Sequence, residues 1–329
     1  VTIRAGTWET PMLAICYDGE VVVRTDYPRP RPARSEVLVQ VRKAGICSTD
    51  LEVAKGYMSF SGVMGHEFVG TVTAGSRRWK GKRVVAEINC ICGRCDLCRS
   101  GLSNHCRNRT VLGIDGRDGC FAEYLAVPAR NLHEVPDAVS DDQAVFTEPL
   151  ASALQIVRQI KLTGTNQVVV LGDGRLGQLI VRVLKGRVER TIMVGRHAAK
   201  LEAAEKQGIQ AVLEEEFVPD ASVAFVVDAT GSPSGFDLAM RTVRPRGTII
   251  LKSTFAAVAG LNLAPLVVNE VTVMGSRCGP FPDAIRALAA GKVDVSALIS
   301  AEFPLADAPA ALRAAGRGDK LKVLLNVRR

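Results

Sequence analysis

The sequence predicts an α/β protein of two domains, a β-rich first half followed by a doubly wound parallel sheet. Three observations carry that reading. Short β segments broken by glycine fill the chain to about residue 140, with little helical periodicity. From QVVVLGDGRLGQLIVRVLKG onward, buried-type strands alternate with helical segments, the pattern of a parallel sheet covered on both faces. The first of those strands runs into Gly172-Asp173-Gly174-Arg175-Leu176-Gly177, a G-x-G-x-x-G turn at the head of a helix.

Taken in order, MLAICY and EVVVRT flank Asp18-Gly19, a hairpin signal, and EVLVQVRKAGI, FVGTVTAG and KRVVAEI continue the strands. This part reads as a small barrel or distorted sandwich whose loops carry the polar residues. SDDQAVFTEPLASALQIVRQI opens as an acid-rich helix start and then runs apolar at helical spacing, interrupted by Pro149. After the glycine turn, Leu176, Leu179, Ile180, Val183 and Leu184 form one apolar stripe. TIMVG, AFVVDATG and GTIILKS repeat the buried strand. PDAIRALAAGK and PLADAPAALRAAG then read as helices and KVLLNV as a last strand, which returns to the first domain because the parallel sheet already has its six strands. The expected limits are 1–152 for the β-rich domain, with a cysteine lobe at about 90–107, then 153–275 for the Rossmann-type domain and 276–329 for the returning tail.

At 329 residues, 47% hydrophobic and 23% charged, the chain has the make-up of a soluble globular enzyme with a sizeable core. Aromatics at 5% argue against stacking-rich nucleic-acid binding. The net charge of +8 is not gathered in one basic block: Arg29, Arg31 and Arg34 interleave with prolines, and Arg77, Arg78, Lys80, Lys82 and Arg83 surround a glycine turn. No apolar run is long enough to cross a bilayer, and nothing near Val1 resembles a signal peptide. Five of the nine cysteines fall between residues 90 and 106. They read as metal-binding thiols in a reducing cytoplasm rather than as disulfides.

Cys92, Cys95, Cys98 and Cys106 have the spacing of a closed, structural tetrahedral zinc site. An iron–sulfur cluster is the other reading, but a short final gap followed by proline is missing. Between Ala44 and Glu67 lie Cys47, Thr49, Asp50 and Gly65-His66-Glu67. Thiolate, imidazole and carboxylate suit a catalytic zinc, which takes three protein ligands and keeps one position open. Asp50 can accept the second ring N–H of His66 and fix its tautomer. Glu148, an acid before a proline at the domain boundary, reads either as a ligand entering an interdomain cleft or as a solvated helix-start acid.

In the glycine turn, Gly172 permits the bend, Gly174 lets a pyrophosphate approach and Gly177 lets helix pack on strand, while the helix start at Arg175 and Leu176 favours phosphate. An NAD site expects an acid at the end of the second strand. TIMVGRHAAK offers Gly195, Arg196 and Lys200 there, so NADP is expected over NAD, unless Arg196 merely faces solvent. His197 is a further adenosine-phosphate candidate, and Asp228 to Gly231 either meet the nicotinamide half or form a structural turn. Tyr57, Met58 and Phe60 either line the substrate pocket or pack.

GICSTDLE, GVMGHEFVG, the four-cysteine lobe, VVVLGDGRLG and GSRCGP together resemble the zinc-dependent medium-chain alcohol dehydrogenase family, in order and spacing over nearly the whole chain. The resemblance implies a GroES-like catalytic domain beside the Rossmann domain. It implies a catalytic zinc held by Cys47, His66 and the Glu148 of TEPLAS, with Glu67 as an alternate ligand and Thr49 relaying the alcohol proton. A glutamate as third ligand, where alcohol dehydrogenases proper have cysteine, places the chain nearer the sorbitol, threonine and glucose dehydrogenase branches. A homodimer or homotetramer is also implied. The expected activity is reversible hydride transfer between a secondary alcohol, polyol or sugar and NADP, giving a ketone or aldehyde, with one catalytic and one structural zinc per chain. A zinc-free NADPH-dependent reductase of the same superfamily and a non-catalytic NADP(H)-binding protein stand as the other readings.

Overall fold

In the computed structural model, the described residues are 10–162, 167–253, 260 and 262–327. They form two compact units. One comprises residues 1–148, 284–292 and 299–329, and the other residues 149–283 and 293–298. The crossings fall at Glu148/Pro149 and Asp283/Ala284, four residues before the limit of 152 and eight after the limit of 275 read from the sequence. Residues 293–298 rejoin the second unit, a return the sequence pattern did not announce.

The first unit is organised around the long strand Glu36–Gly45. It pairs antiparallel with Glu67–Ala74, with Tyr124–Pro128 and with Lys322–Asn326. The strands Arg83–Ala86, Leu132–Glu134 and Ile299–Pro304 complete a seven-stranded sheet. KVLLNV therefore lies inside this sheet, between Glu36–Gly45 and Ile299–Pro304. The expected hairpin at Asp18-Gly19 is present: Pro11–Tyr17 pairs with Val21–Pro28, and Gly19 takes φ +80°, which glycine adopts without strain. A buried cluster including Ile15, Val39, Phe68, Phe121, Leu125 and Val323 fills this unit.

Register decides what the first sheet presents. Gly45 lies opposite Glu67 on one side and opposite Leu324 on the other. Cys47 is thus two residues past the end of one strand, His66 one residue before the start of its neighbour, and Lys322 two residues before Leu324. Three segments far apart in sequence converge at one sheet end.

The second unit is a six-stranded parallel sheet in the order Gln210–Leu213, Arg190–Gly195, Gln167–Leu171, Val223–Asp228, Val243–Leu251, Thr272–Gly275. Numbered within the unit this is 3-2-1-4-5-6, the dinucleotide-binding Rossmann order. The helix Arg175–Leu184 buries Leu179, Ile180, Val183 and Leu184 of its apolar stripe, leaves Leu176 half-buried, and also buries Gln178 and Arg182. Arg182 donates to the carbonyl and side-chain oxygens of Gln178 and to the carbonyls of Ala203 and Asp294, so its burial is compensated.

The helical stretch after Ser140 breaks at Phe146, not at Pro149. Ser140 caps Asp141–Val145 through a reciprocal box with Gln143, and a second helix runs Thr147–Gln159. Pro149 sits in the first turn of that second helix, where its missing N–H would have had no intrahelical partner. Among the described residues no helix is long and apolar enough to cross a membrane.

Candidate functional site

Cys47, His66 and Glu67 place one ligand atom each within 4.8 Å of one another. Local structure fixes each of them. Cys47 is the N-cap of the short helix Ser48–Val53, and its backbone N–H donates to Asp50 Oδ2 at 2.7 Å. The other oxygen, Asp50 Oδ1, lies 3.2 Å from His66 Nδ1, within ion-pair distance but out of hydrogen-bond alignment. Asp50 thus ties the Cys47 loop to the imidazole and leaves Nε2 as the ring's other nitrogen. Thr49 Oγ1 stands 3.8 Å from Cys47 Sγ. Gly65 turns the chain into His66 with φ +91°, where a Cβ would lie 2.2 Å from the Phe121 ring.

The site is buried and rich in anions. Asp50, His66 and Glu67 are 0%, 3% and 1% exposed. Burial disfavours a charged His66, yet Asp50 and then Cys47 more than offset it and hold its pKa well above the ordinary value. The buried Cys120 thiol is pushed up by burial first and then by Asp50 and Glu67. Glu67 Oε2 pairs with Lys322 Nζ, which also donates to the Ile46 carbonyl at 3.3 Å; both charged side chains are almost fully buried. Glu67 Oε1 has no hydrogen-bond partner. A buried acceptor without a donor, beside a thiol and an imidazole, is what a zinc ligand set looks like before the ion is counted.

Glu148, expected as the third ligand, lies outside that mutual 4.8 Å cluster, at the start of Thr147–Gln159. The carboxylate that the fold brings in is Glu67. Phe60 is buried and Tyr57 packs against the same core, so both are packing residues; Met58 is 53% exposed.

Cys92, Cys95, Cys98 and Cys106 form the second cluster. Cys106 Sγ lies 3.5 Å from Cys92 Sγ and 3.8 Å from Cys95 Sγ. The backbone N–H of Arg94, then that of Cys95, lowers the Cys92 thiol to about 6. Backbone donors aimed at a sulfur favour the thiolate that zinc requires, so these residues fit the ion.

The glycine turn meets the requirements of a pyrophosphate cradle. Gly172 has φ +106° and its N–H donates to the Val194 carbonyl at 2.8 Å. A Cβ on Gly177 would lie 1.9 Å from the Gly172 carbonyl, whereas one on Gly174 would meet nothing within 4 Å. Gly174 is also the N-cap of Arg175–Leu184 and offers no side-chain cap, so the helix start is open to an anion. Asp228 spends Oδ1 on the Thr230 N–H and hydroxyl, so Asp228 to Gly231 form a structural turn.

At the tip of Arg190–Gly195 the structure corrects the sequence reading. No acid was expected there, yet Asp173 folds across from the glycine turn. Its Oδ2 accepts from the Arg196 N–H at 2.8 Å and the His197 N–H at 2.7 Å, and the carboxylate meets His197 Nδ1 at 3.0–3.1 Å. Arg196, expected to await a phosphate, forks onto Glu214 at 2.8 and 2.9 Å. Lys200 is buried at 7% exposure. The sequence does hold a signal, an acid between the first two glycines of the motif. Lys322 announced itself only as a cation in an otherwise apolar strand.

Comparison with known proteins gives concordant results. Residues 33–137 match the family model described as "Alcohol dehydrogenase GroES-like domain" and residues 176–294 the one described as "Zinc-binding dehydrogenase". L-Threonine 3-dehydrogenase of Salmonella arizonae is 33% identical over 232 residues, 67% of each chain. A zinc-binding dehydrogenase of Sinorhizobium meliloti, solved with NADP, superposes with a TM-score of 0.88 at 27% identity, covering 96% of this chain and 99% of that one. The rspB alcohol dehydrogenase of Escherichia coli CFT073, solved with NADH, gives 0.87 at 29% identity, covering 97% and 100%.

Proposed function

The chain belongs to the zinc-dependent medium-chain alcohol dehydrogenase family, and from that premise we propose that it interconverts a secondary alcohol or polyol with its carbonyl compound, using a nicotinamide dinucleotide. The observation that carries the proposal is the convergence of Cys47, His66 and a buried carboxylate, backed by Asp50, at one end of the first sheet.

Cys47 and His66 would hold the catalytic zinc. Glu67, whose Oε2 pairs with Lys322 while Oε1 has no hydrogen-bond partner, is the carboxylate that clusters with them, and Glu148, implied by the family resemblance, is the other candidate for the third position. Zinc bound there supplies Lewis acidity, lowering the pKa of an alcohol hydroxyl. A bound nicotinamide dinucleotide would supply the hydride acceptor, a chemistry that belongs to the cofactor. The chain's own residues do the rest. Asp50 orients the His66 ring through Nδ1, and Thr49 Oγ1, beside Cys47, takes the alcohol proton toward solvent. Gly172, Gly174 and Gly177 seat the pyrophosphate at the N-terminus of Arg175–Leu184. The four-cysteine lobe would hold a structural zinc.

For the electron acceptor, the expected NADP preference rested on an acid-free tip and an available Arg196. The Asp173 carboxylate and the Glu214 fork weigh against both premises.

The test is zinc content by elemental analysis, together with turnover of a panel of secondary alcohols and polyols. Two zinc per chain are expected in the native protein and one in Cys47→Ala, with alcohol oxidation lost in the variant. Retention of both ions or of turnover in Cys47→Ala would sink the mechanism.

A further inference from the structure

We propose that Asp173, from within the glycine-rich turn, directs this enzyme to NAD(H) by supplying the carboxylate that the end of the second parallel strand lacks. The inference rests on reading the second unit as the dinucleotide site.

The geometry makes Asp173 a replacement for a tip acid. The Gly172 N–H to Val194 carbonyl bond holds the turn against the end of Arg190–Gly195. From there the Asp173 side chain reaches the backbone just beyond the strand and is only 8% exposed. A Cβ on Gly195 would lie 2.4 Å from Asp173 Cβ and 2.5 Å from Oδ2. The two positions share one volume: an acid at residue 173 requires glycine at residue 195. This also makes Gly195→Asp a poor probe of specificity, because it collides with a carboxylate already in place.

Three consequences for the adenosine ribose follow. First, the N–H groups of Arg196 and His197 lie where a 2′-phosphate would find backbone donors, and they already serve an internal anion. Second, a phosphate brought to that end of the strand meets the Asp173 charge, a like-charge contact that penalises NADPH. Third, Arg196 can answer a phosphate only by leaving Glu214, to which it makes two hydrogen bonds, and Ser234 Oγ, to which Nη2 donates at 3.2 Å. A ribose 2′-hydroxyl has the opposite requirement. It is a donor seeking an acceptor, and Oδ1 of Asp173, which among the described residues meets the His197 Nδ1 at 3.1 Å, keeps lone-pair capacity for it. The arrangement therefore suits a free hydroxyl and opposes a phosphate ester.

The experiment is equilibrium binding of NADH and NADPH, followed by nucleotide fluorescence, to the native protein, Asp173→Ser and Glu214→Gln, with thermal unfolding of each as a fold control. The native protein is expected to bind NADH at least about tenfold more tightly than NADPH, a modest figure for a like-charge contact. Asp173→Ser should shrink that ratio by about tenfold or more, and Glu214→Gln, by freeing Arg196, should strengthen NADPH binding severalfold. A native preference for NADPH, or equal binding, overturns the proposal without any variant. An unchanged ratio in a folded Asp173→Ser overturns it too. If Asp173→Ser does not fold, the native ratio and the Glu214→Gln shift decide it. Binding of neither dinucleotide overturns it together with the dinucleotide site. NADH preference in a protein that oxidises no alcohol supports it while sinking the dehydrogenase reading.

Discussion

In the four-cysteine lobe, all ligands come from residues 92–106 and three of the four thiols are partly exposed; at the other centre, Cys47 and His66 come from the facing ends of two strands and the groups around them are buried. The lobe needs only its own turns and the ion. The second centre needs the register of Glu36–Gly45 against Glu67–Ala74, the Asp50 bridge and a lysine from a third strand. The contrast teaches that equivalent ligand chemistry can be assembled locally, where spacing encodes it, or by the sheet, where pairing does.

The contrast would break first in the lobe. Cys106→Ala is expected to cost one zinc per chain and to remove amide-exchange protection across residues 90–107, since structural zinc contributes about 10–16 kcal/mol in small zinc-finger peptides. The rest of the first sheet should keep its protection. Loss of protection throughout would mean that the lobe is not self-contained.

Next in size is the buried pair. Lys322→Ala leaves Glu67 as an uncompensated buried charge and should cost about 3–5 kcal/mol in urea unfolding. Lys322→Met combined with Glu67→Gln should recover most of that loss, because the pair as a whole need not be stabilising. A single variant as stable as the native protein would separate the C-terminal strand from the centre.

The smallest effect lies at the solvent side of the same strands. Glu302 accepts from Lys43 Nζ at 2.9 Å and from Asn326 Nδ2 at 3.0 Å, and the Lys43 hydrogen bond leads in holding its pKa below the usual 4.5. Its folded pKa is depressed, so its stabilising contribution is complete above pH 4.5 and drains away as pH falls through the lower folded value. Glu302→Gln should flatten that part of the acid-unfolding curve by less than about 1 kcal/mol, because solvent screens a pair this exposed. A steeper acid limb in the variant would contradict the assignment.

Legibility in the sequence followed the same division. The four cysteines, the glycine turn and the alternation of strands and helices are local patterns, and spacing alone led to them. Cys47, Asp50 and His66 were readable because their residue types are unusual together, although only the register joins them. Lys322 was not readable, since nothing in KVLLNV indicates that its lysine is buried against Glu67. The role of Asp173 is not legible in its motif, because the G-x-G-x-x-G rule describes backbone needs and is silent about the side chain between the first two glycines. Arg196 is the converse case: its partner Glu214 lies one residue past the neighbouring parallel strand, level with it in space but 18 residues on in the chain.

The placement of Lys322–Asn326 inside the first sheet has a kinetic consequence. The hydrogen bond from Lys322 to the Ile46 carbonyl spans 276 residues of chain, with the whole second unit in between. Contacts of that separation carry the entropy of closing a very long loop and form late. The second unit, whose parallel pairs are drawn largely from one continuous stretch, can organise earlier. Refolding followed by nucleotide binding and by zinc uptake at Cys47 and His66 should therefore show two phases, with cofactor affinity recovered before catalytic competence.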